Sequence, residues 1–246
     1  MPFDLSLSAA LWLGLTFFVA AFVRGYSGFG FAALVVSGAG LVTNPMLLVP
    51  VVILADIALT AQQARGIWHH IKWRRVSMLF LGCLAGVPIS VWALSAIGVD
   101  LARAIISLYI LAMCALLLTG WQLRRATGDA AHIGTGFISG LANGAAVGGL
   151  PVAVFFAAQT LSAAAFRATL IAYFTLLDLW TLPIMAWQGL ITRDTFIATA
   201  MGLPVMILGV WLGSRRFIAA EPLGFRRFAI ILLAVLALFG LGKSLI

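Results

Sequence analysis

Apolar runs of about 20 residues recur along the whole chain, and no other feature limits its fold as severely. Ten can be read, at approximately 5–23, 29–41, 45–64, 76–96, 101–121, 133–142, 151–162, 166–187, 195–213 and 226–243. An α-helix rises about 1.5 Å per residue, so a ~30 Å hydrocarbon layer needs about 20 residues to cross. Seven of the ten runs reach that length. The second, sixth and seventh are too short and predict discontinuous or re-entrant helices. Only helices or closed barrels satisfy their backbone groups in lipid, and these runs have helical length. Composition agrees: 63% of residues are hydrophobic and 9% charged, against roughly 25% charged in a soluble domain. The expected class is an all-α polytopic membrane protein, a single transmembrane domain over 1–246.

The net charge of +8 does not point to nucleic acid, because the basic residues gather in short segments between apolar runs. Arg65, Lys72, Arg74 and Arg75 follow the third run, Arg124 and Arg125 the fifth. Arg215, Arg216, Arg226 and Arg227 precede the tenth, and Arg167 flanks the eighth. All eleven fall on one side of a single consistent path. Arg103, Arg193 and Lys243 fall on the other, beside Asp4, Asp100 and Asp194. The positive-inside bias makes the first side cytoplasmic and puts both termini outside, in the periplasm of a bacterial inner membrane. No basic n-region precedes the first run, so no cleaved signal peptide is expected.

An internal correspondence runs through the chain. "PMLLVPVVILAD" (45–56) aligns with "RATLIAYFTLLD" (167–178), and both end on an aspartate, Asp56 and Asp178. Gly66 with Gly189, Gly86 with Gly209 and Arg103 with Arg226 continue the match at half the chain length. The expectation is two repeats, 1–123 and 124–246, each a broken pair followed by three long helices. The charge bias puts the Gly66 loop inside and the Gly189 loop outside, so the repeats are expected to be inverted. Inverted repeats mark transporters whose sites lie near the midplane, where broken helices meet.

Three charges lie within apolar runs: Arg24, Asp56 and Asp178. Such residues are costly in lipid and mark a pathway or relay. Both aspartates sit roughly 17 Å into their runs, at equivalent repeat positions. As proton carriers they would exploit the preference of a carboxyl in hydrocarbon for its neutral form. Helix-packing hydrogen bonds, to Thr60 or Thr181, are the alternative. Around Arg24 the sequence reads "RGYSGFG", joining the first two runs; "SGLANGAAVGGLP" (139–151) joins the sixth and seventh. Ser27 suits a cap for a helix starting near Phe29, and Pro151 suits the first turn of another. Free N–H groups at such starts hold anions, and Gly148-Gly149 suits an anion-cradling nest. Arg24 adds a guanidinium that fits a sulfonate, sulfite or carboxylate. Asn143 and Gln159 are candidate hydrogen-bond donors to that anion. Close helix packing is the competing reason for the glycines.

"RGYSGFGFA" early, "GLANGAAVGGLP" after a basic central loop and then "FRATLIAYF" together resemble the TauE/SafE sulfite-exporter family, over nearly the whole chain. The resemblance implies an inner-membrane permease for sulfite, sulfoacetate or related organosulfur anions, with proton-linked transport. Its glycine motifs fall on Gly25, Ser27, Gly28 and Gly30, and on Gly140, Gly144, Gly148, Gly149 and Pro151. Similar chains carry a proline soon after the first motif, where this one reads Ser37-Gly38. The usual Gly-Gly-Pro is opened here by Leu150.

The expected partners are thus a small anion, protons and the lipid bilayer. No cofactor is expected. His69 and His70 have no further ligands at metal-binding spacing, and no nucleophile–base pair or phosphate loop suggests an enzyme. A passive anion channel and a carrier of small carboxylates remain the alternative functions.

Overall fold

The computed structural model describes residues 2–120, 122, 123, 127–219, 230, 231, 234, 235 and 238, without the side chains of 64, 65, 94, 95 and 217–219. Among the described residues the chain is helical, with no strand. The helices are α1 (Leu7–Ser27), α2 (Phe31–Gly40), α3 (Val49–Ile67), α4 (Trp73–Ser95) and α5 (Val99–Thr119). After the central loop come α6 (Asp129–Asn143), α7 (Gly149–Ala157), α8 (Ala163–Trp187) and α9 (Arg193–Ala219). A 3-10 turn, Pro45–Leu48, leads into α3, capped by the Asn44 side chain accepting from the Met46 N–H. Among the described residues six helices are long and apolar enough to cross a membrane: α1, α3 with its leading turn, α4, α5, α8 and α9. The seventh long run, 226–243, lies mostly outside the described residues, as do Arg124, Arg125, Arg226, Arg227 and Lys243.

The short runs behave as the length argument requires. α2 has 10 residues and α7 has 9, and each folds back beside the helix before it. The Trp12 indole N–H donates to the Gly38 carbonyl at 2.9 Å, which brings the end of α2 to the first turns of α1. α6, at 15 residues, is longer than its apolar run because Asp129 opens it on the polar side.

Glycine sets which helices touch. α1 packs along α9 and α6 along α4. A Cβ at Gly136 or Gly82 would collide with backbone of the facing helix, as would one at Gly209 or Gly213. Close packing is therefore real for these glycines, and without a hydrophobic drive between helices in lipid such approach supplies the association. In the middle, α3 lies against α8. The Thr175 hydroxyl donates to Thr60 at 2.9 Å, and Ile67 meets Ala168 and Ile171 at one end.

Charges separate to the two ends of this bundle. The Phe3 N–H donates to Asp194 at 2.7 Å, and Arg103 binds Asp100 and reaches the Thr43 carbonyl. At the opposite end Arg74 pairs with Asp129, Arg75 donates to Gln159 and the Lys72 N–H donates to Thr169.

Candidate functional site

Between the tips of the two folded-back pairs lies a cavity of about 480 Å³, its open mouth included. The α1–α2 junction supplies one wall through Arg24, Gly28, Phe29, Gly30 and Phe31. The α6–α7 junction supplies another through Asn143, Ala146, Val147 and Gly149. α3 contributes Asp56 and α8 contributes Phe174 and Asp178. Segments far apart in sequence thus bring Arg24, Asp56 and Asp178 to one place.

The junctions are built by backbone geometry. Gly28 ends α1 in the left-handed region at φ 81°, its N–H bonded to the Arg24 carbonyl. Gly30, at φ 87°, immediately precedes α2. Two left-handed residues with only Phe29 between them turn the chain through a conformation that side-chain-bearing residues rarely adopt. This corrects two expectations. α2 begins at Phe31 rather than Phe29, because Gly30 must turn first. Ser27 is the last residue of α1 rather than a cap for α2, and its hydroxyl bonds the Val23 carbonyl at 2.8 Å and the Phe29 carbonyl at 3.0 Å.

At the second junction α7 begins at Gly149, so Pro151 sits two residues inside it. Gly148 is right-handed at φ −60°, and its carbonyl accepts from Ser139. A nest needs a left-handed residue beside a right-handed one, so Gly148-Gly149 does not form one. The positive φ falls instead on Ala146, at 56°.

Arg24 is 1% exposed and forms an ion pair with Asp56, itself 5% exposed. Its other terminal nitrogen donates to the Thr60 hydroxyl at 2.7 Å and the Asp56 carbonyl at 3.3 Å. The Phe31 ring lies 6.0 Å from the guanidinium carbon. A buried cation needs a partner, and Asp56 provides it. Asp56 is correspondingly half of an ion pair. Asp178, buried at 7% exposure, lies against Asp56 and Asn143. Asn143 donates to the Thr181 hydroxyl at 2.8 Å. Hydrogen bonds to Thr60 and Thr181 therefore exist, made by the side chains of Arg24 and Asn143, while Asp56 meets Thr60 only through its main-chain carbonyl.

The structure thus brings Arg24, Gly28, Phe29, Gly30, Asp56, Asn143, Gly149 and Asp178 to the cavity wall. Gly25 packs on α9 at Val210, and Gly144 on α4 at Ser90, whose hydroxyl accepts from its N–H. Gln159 lies beyond α7, where its amide oxygen accepts from Arg75 at 2.9 Å. Sequence reasoning missed Thr175, Phe174 and the positive φ at Ala146. Of these only Thr175 had a signal, three residues before Asp178 on one helix face.

Among the described residues no cluster of His, Cys, Asp or Glu could hold a metal ion. Chemically, the cavity offers one guanidinium, two carboxyls, an amide and the first turns of α2 and α7. The family model described as "Sulfite exporter TauE/SafE" matches residues 13–240. A protein of Cupriavidus necator named "Probable sulfite/organosulfonate exporter TauE" is 29% identical over 232 residues, covering 89% of this chain and 86% of that one. No solved structure matches the chain.

Proposed function

Because the chain belongs to the TauE/SafE sulfite exporter family, whose members are transporters and not enzymes, we propose that it carries sulfite or a small organosulfonate through the Arg24–Asp56–Asp178 cavity, together with a proton. The observation that carries this reading is the charge inventory of the cavity. With both aspartates ionised its one cation is outnumbered, and a further anion is repelled. With Asp178 protonated the Arg24–Asp56 pair is neutral, and the new carboxylic O–H becomes a donor. The anion's oxygens then meet that hydroxyl, the Asn143 amide and the N–H groups at the starts of α2 and α7, where the helix dipole favours negative charge. Proton and anion bind cooperatively, so they travel as a pair. Gradients then set the direction.

The same reading assigns 1–123 and 124–246 as inverted halves. It is supported by the matching roles of α1 and α6, each packed on the fourth helix of the other half, and by α3 and α8 meeting at Asp56 and Asp178. Alternating exposure would follow from one half moving against the other. The resident membrane is the bacterial inner membrane, with the Lys72–Arg75 and Arg215–Arg216 face cytoplasmic and the N-terminus periplasmic.

The test is flux of radiolabelled sulfite and methanesulfonate into liposomes holding the purified chain, with and without a pH difference. Saturable uptake that concentrates the anion on the pH difference is expected, and Asp178→Asn should equilibrate it without concentrating it. If Asp178→Asn still accumulates the anion, the proton role is lost. Linear, non-saturating flux in the native chain would overturn the carrier in favour of a channel.

A further inference from the structure

A second and larger hollow, about 930 Å³ with its open mouth, lies between the Ile67 end of α3, the start of α8 and the end of α9. We propose that this cleft is a second oxyanion site, which holds a sulfonate or sulfite on the basic face before or after its passage through the central cavity. The proposal rests on the reading of the chain as an oxyanion carrier.

Among the described residues its polar lining is Gln62, Gln63, His70, Arg167 and Ser214, with no acidic side chain. Arg167 is held in place: one terminal nitrogen donates to the Gly25 carbonyl at 2.7 Å and to the Ser214 hydroxyl at 2.9 Å. Gln63 donates to that same hydroxyl at 3.3 Å. A guanidinium already fixed in position loses little freedom when it binds an anion. Trp211 adds an apolar wall for a carbon group, and the Arg215 guanidinium lies 3.7 Å from its ring, which extends the positive field over the rim. The cleft therefore suits an oxyanion with a short apolar body.

The α1–α2 junction touches this cleft on one side and the central cavity on the other. A Cβ on Gly28 would meet the Arg167 Cγ at 2.8 Å, and Phe29 packs edge-on against Phe166 with centroids 6.2 Å apart. Gly28, Phe29 and Gly30 also line the cavity. Displacing these three residues connects the two hollows. Arg24 and Arg167 are like charges on either side of this junction, so an anion bound beside one changes the field at the other. Such coupling is reciprocal.

Trp211 supplies the readout. Bromomethanesulfonate, whose heavy atom quenches nearby indoles, is titrated into the detergent-purified full chain at constant ionic strength, and the Trp211 share is isolated by subtracting Trp211→Phe. Saturable quenching, reversed by methanesulfonate, is expected. The half-saturation should rise about tenfold or more in Arg167→Gln, on the scale of one lost charge-assisted bond. Gln62→Glu, which removes neither the Gly25 nor the Ser214 partner of Arg167 but puts a carboxylate at the cleft, should weaken binding in the same direction. Unchanged half-saturation in both variants, or no Trp211 share in the quenching, overturns the site. The same cation chemistry would accept a lipid phosphate. If phosphatidylglycerol in the micelle removes the quenching and methanesulfonate does not, the cleft is a lipid site and the proposal falls. Absence of flux in liposomes with the quenching intact would remove the carrier reading and leave the cleft standing.

Discussion

Arg24 and Asp56 are each expensive in a bilayer and tolerable as a pair. Breaking a buried pair from one side leaves an uncompensated charge, typically at a cost of about 3–5 kcal/mol, whereas replacing both partners with apolar residues is often neutral. Arg24→Met should therefore lower the thermal midpoint in detergent steeply. The double variant Arg24→Met/Asp56→Leu should recover most of that loss while carrying no sulfite. A double variant with native flux would reduce the pair to scaffolding. The three intramembrane charges were legible because each violates the surrounding apolar pattern. Their pairing was not, since Arg24 and Asp56 are 32 positions apart and no local periodicity links residues at that separation. Arg167 was hidden for a different reason. In sequence it looks like one more basic flank of an apolar run, and only the approach of α8 to Gly25 and Ser214 turns it inward.

At the scale of elements, α6 carries its own controlled comparison. Gly134 and Gly136 occupy the same helix two residues apart, yet a Cβ at Gly134 meets nothing within 4 Å, while one at Gly136 overlaps the Leu79 backbone of α4. Gly134→Ala should be neutral or stabilising by up to about 1 kcal/mol from helix propensity. Gly136→Ala forces α6 away from α4 and should lower the thermal midpoint and the yield of monodisperse protein in size exclusion. Equal behaviour of the two variants would mean that glycine contact does not hold this pair together. Existence and type of the helices were legible from run length, including the shortness of α2 and α7. Their starting residues were not. Gly28 and Gly30 both turn left-handed, and a run of glycines does not reveal which of them will, so the start of α2 lies two residues beyond the expected Phe29. At the second junction the turn falls on Ala146, a residue type that gives no warning of a positive φ.

The whole molecule carries two opposed polar ends, and the orientation proposed for it rests on their unequal charge. His69 lies exposed on the end that carries Lys72, Arg74 and Arg75, and Gly98 lies exposed beside Asp100 on the other. The native cysteines, Cys83 and Cys114, are buried within α4 and α5, so an introduced thiol dominates labelling by a reagent that cannot cross the membrane. His69→Cys should react in inside-out vesicles and be protected in intact cells whose outer membrane has been opened. Gly98→Cys, in open space with φ −70° at the start of α5, should show the reverse. Reversed labelling of both would overturn the positive-inside assignment and place the Arg167 cleft on the periplasmic face, where it would load rather than unload an imported anion. Labelling of both from one side would be incompatible with α4 crossing the bilayer, because that helix alone, at 23 residues, spans roughly 34 Å between the two positions.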